Sequence, residues 1–155
     1  MNPPIALSGP PAAETDRPPG GRASISRFFV IGSRLLLGLI FFVFGLNGFF
    51  LFMPPPPNLP PGVVSFMTGM AATRYFFSLL AGTQTLAGAL LLANRFVPLA
   101  LIILAPVIVN IVAFHLFLAP DGLVLALLVL ALELYLAWNH RAAYRSLLVA
   151  RAPRE

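Results

Sequence analysis

The sequence predicts an all-α fold, a four-helix transmembrane bundle with a short interfacial helix between spans one and two. Three observations carry this reading. Hydrophobic residues make up 59% of the 155 residues and charged residues only 10%, against roughly 25% charged in soluble domains. After Arg27 the chain falls into four long apolar runs separated by short polar loops, and runs of about 20 apolar residues are what a ~30 Å hydrocarbon layer selects. The ten basic residues are all arginine, and they gather beside alternate loops, which is a topology signal more than a nucleic-acid footprint.

Residues 1–26 form the first unit. Proline stands at positions 3, 4, 10, 11, 18 and 19 and glycine at 9, 20 and 21, so residues 1–24 cannot bury enough apolar surface to offset ordering and are expected to be disordered. The apolar run that follows is too long for a signal-peptide core, and no small-x-small cleavage site precedes Pro54, which argues against a cleaved leader. Residues 27–140 form the membrane domain and residues 141–155 a basic tail.

Span one, at about 28–52, is long enough to cross with some tilt. Pro54 to Pro57, followed by Pro60, Pro61 and Gly62, ends it. Next, Val63, Phe66, Met67 and Met70 recur at helical spacing, with Ser65, Thr68, Gly69 and Thr73 on other faces, and predict the surface-lying amphipathic helix. Span two covers about 75–93 and is closed by Asn94 and Arg95. Span three covers 96–118, with Pro98 in the first turn, where a missing N–H is harmless, and Pro106 inside, where a kink is expected. The turn at Ala119, Pro120, Asp121 and Gly122 leads into span four, about 122–139, the shortest.

With four crossings, Arg17, Arg22, Arg27, Arg95, Arg141, Arg145, Arg151 and Arg154 share one side, and Arg74 stands on the other. The positive-inside rule then places both termini in the cytoplasm of a multi-pass cytoplasmic-membrane protein. Tyr75, Tyr144 and Trp138 near span ends suit an aromatic belt, and Arg34, a turn and a half into span one, is expected to snorkel to the cytoplasmic headgroups.

Function is sought at the polar groups inside the apolar runs: Asn47, Gln84, Asn110, His115 and Glu133. These five form the candidate intramembrane cluster for ligand or cofactor binding. Counting residues from the outer ends puts Gln84 and Glu133 ~15 Å deep, close enough to meet. Asn47 and Asn110 fall in the outer half and His115 within about a turn of the outer interface, which outlines a polar track opening outward. Glu133 is the most costly to insert, by roughly 2.5–3.5 kcal/mol or more, so it reads either as an acid tying spans two and four together or as a proton-carrying or ligand-binding group. Asn110 follows Pro106 by four residues, where it can help the turn whose carbonyl, Ile102, lacks its helical donor. Asn47, between Gly45 and Gly48, is expected to bond across to a closely packed helix. His115 reads as a helix anchor, though it alone of the five has an unperturbed pKa near neutrality. Ala81, Thr85 and Ala89, beside Gly88, make a small-residue packing stripe.

Several chemistries are excluded or disfavoured. Without cysteine there is no disulfide, thiolate nucleophile or iron–sulfur site. His115 and Glu133 are too isolated to suggest a metal, and no phosphate-binding glycine loop or Ser-His-Asp set is present, so independent catalysis is not expected.

The segments Asn94-Arg-Phe-Val-Pro98-Leu-Ala100, Ala105-Pro-Val-Ile-Val-Asn110-Ile and Phe114-His115-Leu-Phe-Leu118 resemble the third-helix region of DoxX-like membrane proteins. Arg34-Leu-Leu-Leu-Gly38 with Gly45-Leu-Asn47-Gly48 is similar to that family's first helix, and Glu133-Leu-Tyr135 with Trp138 to its last. The resemblance covers roughly residues 27–148. It implies a four-helix bundle in a bacterial cytoplasmic membrane, an accessory or quinone-interacting component of a membrane redox assembly, with other oxidoreductase subunits as partners and a quinone as the one cofactor it suggests. Two positions depart: many relatives have Lys where this chain has Gly48, and many have Glu in helix two where it has Gln84-Thr85. The rival expectations are a non-catalytic scaffold whose polar groups lock helices together and, disfavoured by the lack of inverted repeats, a small-solute carrier.

Overall fold

The computed structural model describes residues 21–145, and side chains from residue 25 onward. It contains α1 (Gly21–Phe50), α2 (Pro61–Ala72), α3 (Phe76–Leu92), α4 (Val97–Phe117), α5 (Leu123–Asn139) and α6 (Arg141–Tyr144), with a 3-10 turn at Pro120–Gly122. No strand occurs among the described residues, as the all-α expectation requires.

Three stretches are long and apolar enough to cross a membrane: Ile25–Phe50, Val97–Phe117 and Pro120–Asn139. The fourth candidate is the pair of α2 and α3, bent by 94°, in which α3 is the longer helix. At 17 residues it is about 25 Å long, at the short end of what a bilayer core accepts. It begins one residue later than expected because Arg74 takes a left-handed φ of 63°, ending α2 and turning the chain. Thr73 secures the corner: its hydroxyl donates to the Met70 carbonyl at 2.6 Å and accepts the Phe76 N–H at 3.3 Å.

The first helix starts at Gly21, seven residues before the expected start of span one. Residues 21–24 therefore belong to a helix, and the rest of the expected disordered tail lies outside the described residues, as do residues 146–155 of the basic tail. Asn94 at φ 54° closes α3 by a Schellman arrangement. The Arg95 N–H bonds the Leu90 carbonyl at 2.9 Å and the Asn94 N–H bonds Leu91 at 3.1 Å, which satisfies carbonyls that the helix end leaves open. The fourth helix runs unbroken through Pro106.

Helix α1 packs against α3 and α5, and α4 against α3 and α5, so the four long helices close a ring in the order α1, α3, α4, α5. Lipid tails are as apolar as leucine, and association must come from close packing. The α1–α3 contact supplies it through small residues. A Cβ added at Gly45 would lie 2.5 Å from the Thr85 backbone nitrogen, one at Gly48 would lie 2.7 Å from the Ala81 Cβ, and Gly88 sits directly against the Phe42 backbone. Of the expected stripe of Ala81, Thr85 and Ala89 beside Gly88, Ala81, Thr85 and Gly88 meet the α1 glycines, running antiparallel to Gly38, Gly45 and Gly48.

The core gathers Leu37 and Phe41, Ala87 and Leu91, five residues of α4 from Val97 to Ile108, and Val129 and Leu136. The opposite faces carry large exposed apolar residues such as Val124 (81% exposed), Phe117 (77%) and Phe50 (72%). An outer surface of that kind suits acyl chains and not water.

Candidate functional site

Of the five polar residues, Asn110 alone lines the cleft that forms under α2. The amphipathic helix α2 lies across one end of α4: the Phe66 and Phe114 rings stand 5.4 Å apart, and Gly62 abuts the Leu118 side chain. Beneath α2 this leaves a cleft of about 470 Å³ lined by Ser65, Phe66, Gly69, Met70 and Thr73 of α2, by Phe76 of α3, and by Asn110 of α4. The Asn110 side chain is exposed into it and hydrogen-bonds none of the described residues. It therefore leaves the Ile102 carbonyl alone, contrary to expectation, and a carboxamide with two donors and an acceptor stands free. Lipophilic ligands favour a mostly apolar concavity with a few convergent polar groups.

The α2 contribution was half legible. Val63 is buried and Phe66 and Met70 are half-buried, as the periodicity predicts, whereas Met67 is exposed. Ser65, Gly69 and Thr73, expected on other faces than the apolar stripe, border the cleft. The α2–α3 angle decides which residues look inward, and no local signal encodes that angle.

Asn47 takes another role. Its Oδ1 accepts the Met53 N–H at 2.7 Å, and its own carbonyl accepts the Leu51 N–H at 2.8 Å. The flanking glycines do bring α3 close, but the amide caps its own helix, because Leu51 at φ 51° folds the chain back over it. His115 anchors the far end of α4, where Nδ1 is 2.9 Å from the Ala119 carbonyl. Its ring lies directly over Gly122, edge-on to Phe114.

Gln84 is half-buried on α3 and makes no hydrogen bond to the described residues. Glu133 occupies the inward face of α5 with Ala126, Val129 and Leu136, at core spacing, and is 5% exposed. Its Oε2 has no hydrogen-bond partner among the described residues. The anticipated meeting of Gln84 and Glu133 does not occur as a hydrogen bond, since α3 and α5 share no extended contact in the ring. No hydrogen bond joins any two of the five.

Arg34 was missed as a structural group. Its guanidinium donates to the Leu91 carbonyl and, at 3.3 Å, to that of Leu92, so it seats on the C-terminal end of α3 instead of reaching for headgroups. The negative end of a helix dipole attracts a cation there. At the same end of the bundle the Tyr144 hydroxyl donates to the Pro98 carbonyl at 3.4 Å. Arg141 lies 5.2 Å over the Trp138 ring and donates to the Trp138 carbonyl at 3.1 Å. Among the described residues no group of three or more His, Cys, Asp or Glu could hold a metal.

No family model, curated protein or solved structure matches this chain.

Proposed function

We propose that this is a DoxX-like protein of a bacterial cytoplasmic membrane, both termini cytoplasmic, that serves as an accessory, quinone-interacting component of a redox assembly. The observation that carries the reading is the unpartnered Asn110 carboxamide in an aromatic-walled cleft on the apolar body of the bundle. A quinone headgroup is a flat ring with two carbonyl acceptors. The Asn110 amide donates to one carbonyl, Phe66 and Phe76 offer faces for the ring, and the isoprenoid tail leaves through the cleft's open side into lipid. The topology is supported by Arg27, Arg95, Arg141 and Arg145, which belong to the end opposite Arg74, a bias that the positive-inside rule reads as cytoplasmic.

The test is photolabelling of the purified chain with an azido-quinone, in competition with unlabelled quinone. Saturable labelling mapping to α2 or α4 is expected, weakened about fivefold by Asn110→Leu, the loss of one hydrogen bond. Non-saturable labelling, or labelling indifferent to Asn110, sinks the proposal.

A second reading, a non-catalytic scaffold, draws on Asn47 and His115, whose polar atoms serve helix ends. It predicts that Asn110→Leu leaves membrane quinol oxidation per molecule unchanged.

A further inference from the structure

We propose that Glu133 is an intramembrane proton-binding site that exchanges its proton with water at the arginine-bearing end of the bundle, past Tyr144. Glu133 stands where the packing pattern of α5 calls for an aliphatic residue, between Val129 and Leu136 on the buried face. Its Oε2 is fully enclosed without a hydrogen-bond partner among the described residues. A buried carboxylate without a cation or donors is costly enough that the neutral acid is the form such surroundings admit.

Around the acid, Arg27 of α1 and Tyr135 of α5 are exposed. On α1, Arg34 is engaged with the Leu91 and Leu92 carbonyls. The third helix has no ionisable residue, and His115 of α4 is bound to the Ala119 carbonyl at the far end. On α5 and α6, His140 Nδ1 meets the Leu136 carbonyl at 2.9 Å, and Arg141 is seated on Trp138. None of these hydrogen-bonds the acid, and Asp121 is exposed at the opposite turn.

Direction follows from position and from one contact. Glu133 lies six residues before Asn139 and ten after Leu123, so the arginine-bearing end is nearer, about 9 Å against about 15 Å along the helix. On that side α6 carries the half-buried Tyr144 back over the bundle. Its long hydroxyl bond to the Pro98 carbonyl ties α6 to the first turn of α4 at that end. The step is a simple proton transfer: the carboxyl O–H breaks, the proton passes to water, and a carboxylate remains until a proton returns. This inference does not depend on quinone binding in the cleft.

Infrared spectroscopy of the full chain in phospholipid vesicles tests it. At pH 7 the wild type minus Glu133→Gln difference is expected to contain a neutral-carboxyl C=O stretch that shifts in D2O. Glu133→Leu, which removes an unsatisfied buried group, serves as the reference should the glutamine variant not fold. Tyr144→Ala is expected to speed the D2O shift about fivefold, the factor corresponding to one lost hydrogen bond. A difference spectrum showing lost carboxylate bands instead overturns the proton site. A D2O shift unaltered by Tyr144→Ala, whether or not His115→Ala accelerates it, overturns the route.

Discussion

The guanidinium of Arg34 on α1 caps the carbonyl of Leu91 on α3. Two helices that must cross the layer in opposite directions are thereby pinned at one end by a cation on the negative pole of its neighbour. Charge-assisted hydrogen bonds of this kind contribute about 1.5–3 kcal/mol. Arg34→Leu is therefore expected to lower thermal stability in detergent by about that amount, with Arg34→Lys intermediate because a point charge replaces the fork. A side chain merely snorkelling to headgroups would show no loss on replacement by leucine, so thermal unfolding of the three proteins decides between the two.

Glycine positions on α1 are expected to differ sharply. A methyl at Gly45 meets the Thr85 backbone at 2.5 Å, whereas a methyl at Gly32 meets nothing within 4 Å. Overpacking against backbone costs about 1–3 kcal/mol, and replacing an unhindered helical glycine gains about 0.5–1 kcal/mol. Gly45→Ala should destabilise and Gly32→Ala should not, as read by melting temperature in one detergent.

Gly122 and His115 form a coupled pair at the α4–α5 turn. Gly122→Ala displaces the imidazole and its bond to the Ala119 carbonyl, at an expected cost of about 1–2 kcal/mol. In the His115→Ala background the same substitution should cost almost nothing, since the ring it strikes is gone. A double-mutant cycle with no coupling would remove this contact from the account.

Tyr144 gives a pH dependence. Burial pushes its phenol above the ordinary value, and Glu133, once it has released its proton in alkaline solution, pushes it further. The folded chain then holds a proton that the unfolded chain releases, so stability falls as pH rises through the ordinary phenol range. Glu133→Gln should bring the Tyr144 transition partly down, with burial retaining the rest. Ultraviolet titration against a Tyr144→Phe blank measures both effects, and an unchanged transition in Glu133→Gln would contradict the coupling.

The membrane helices were legible because the bilayer makes the rule one-dimensional: long apolar runs, bounded by proline, asparagine and arginine. The start of α4 and both ends of α5 fall within a residue of expectation for that reason. The small-residue face of α3 was equally readable, since close backbone approach admits few residue types. What could not be read is where flexible polar side chains go. Arg34 and Asn47 are each within reach of several acceptors or donors, and the choice depends on how α3 and the chain after Leu51 arrive in space. Asn110 became part of a cleft only because the corner at Thr73 and Arg74 lays α2 over it, and the 94° angle has no counterpart in periodicity.

The antiparallel fit of Gly45 and Gly48 against Thr85 and Ala81 also orders biosynthesis. During translation α1 enters the bilayer with its notched side unfilled, and some thirty further residues must emerge before the ridge that fits it exists. The last two helices, joined by a tight turn, arrive together as a ready-made hairpin. Substitutions that roughen the notch should therefore leave the second hairpin without a formed first pair to dock on.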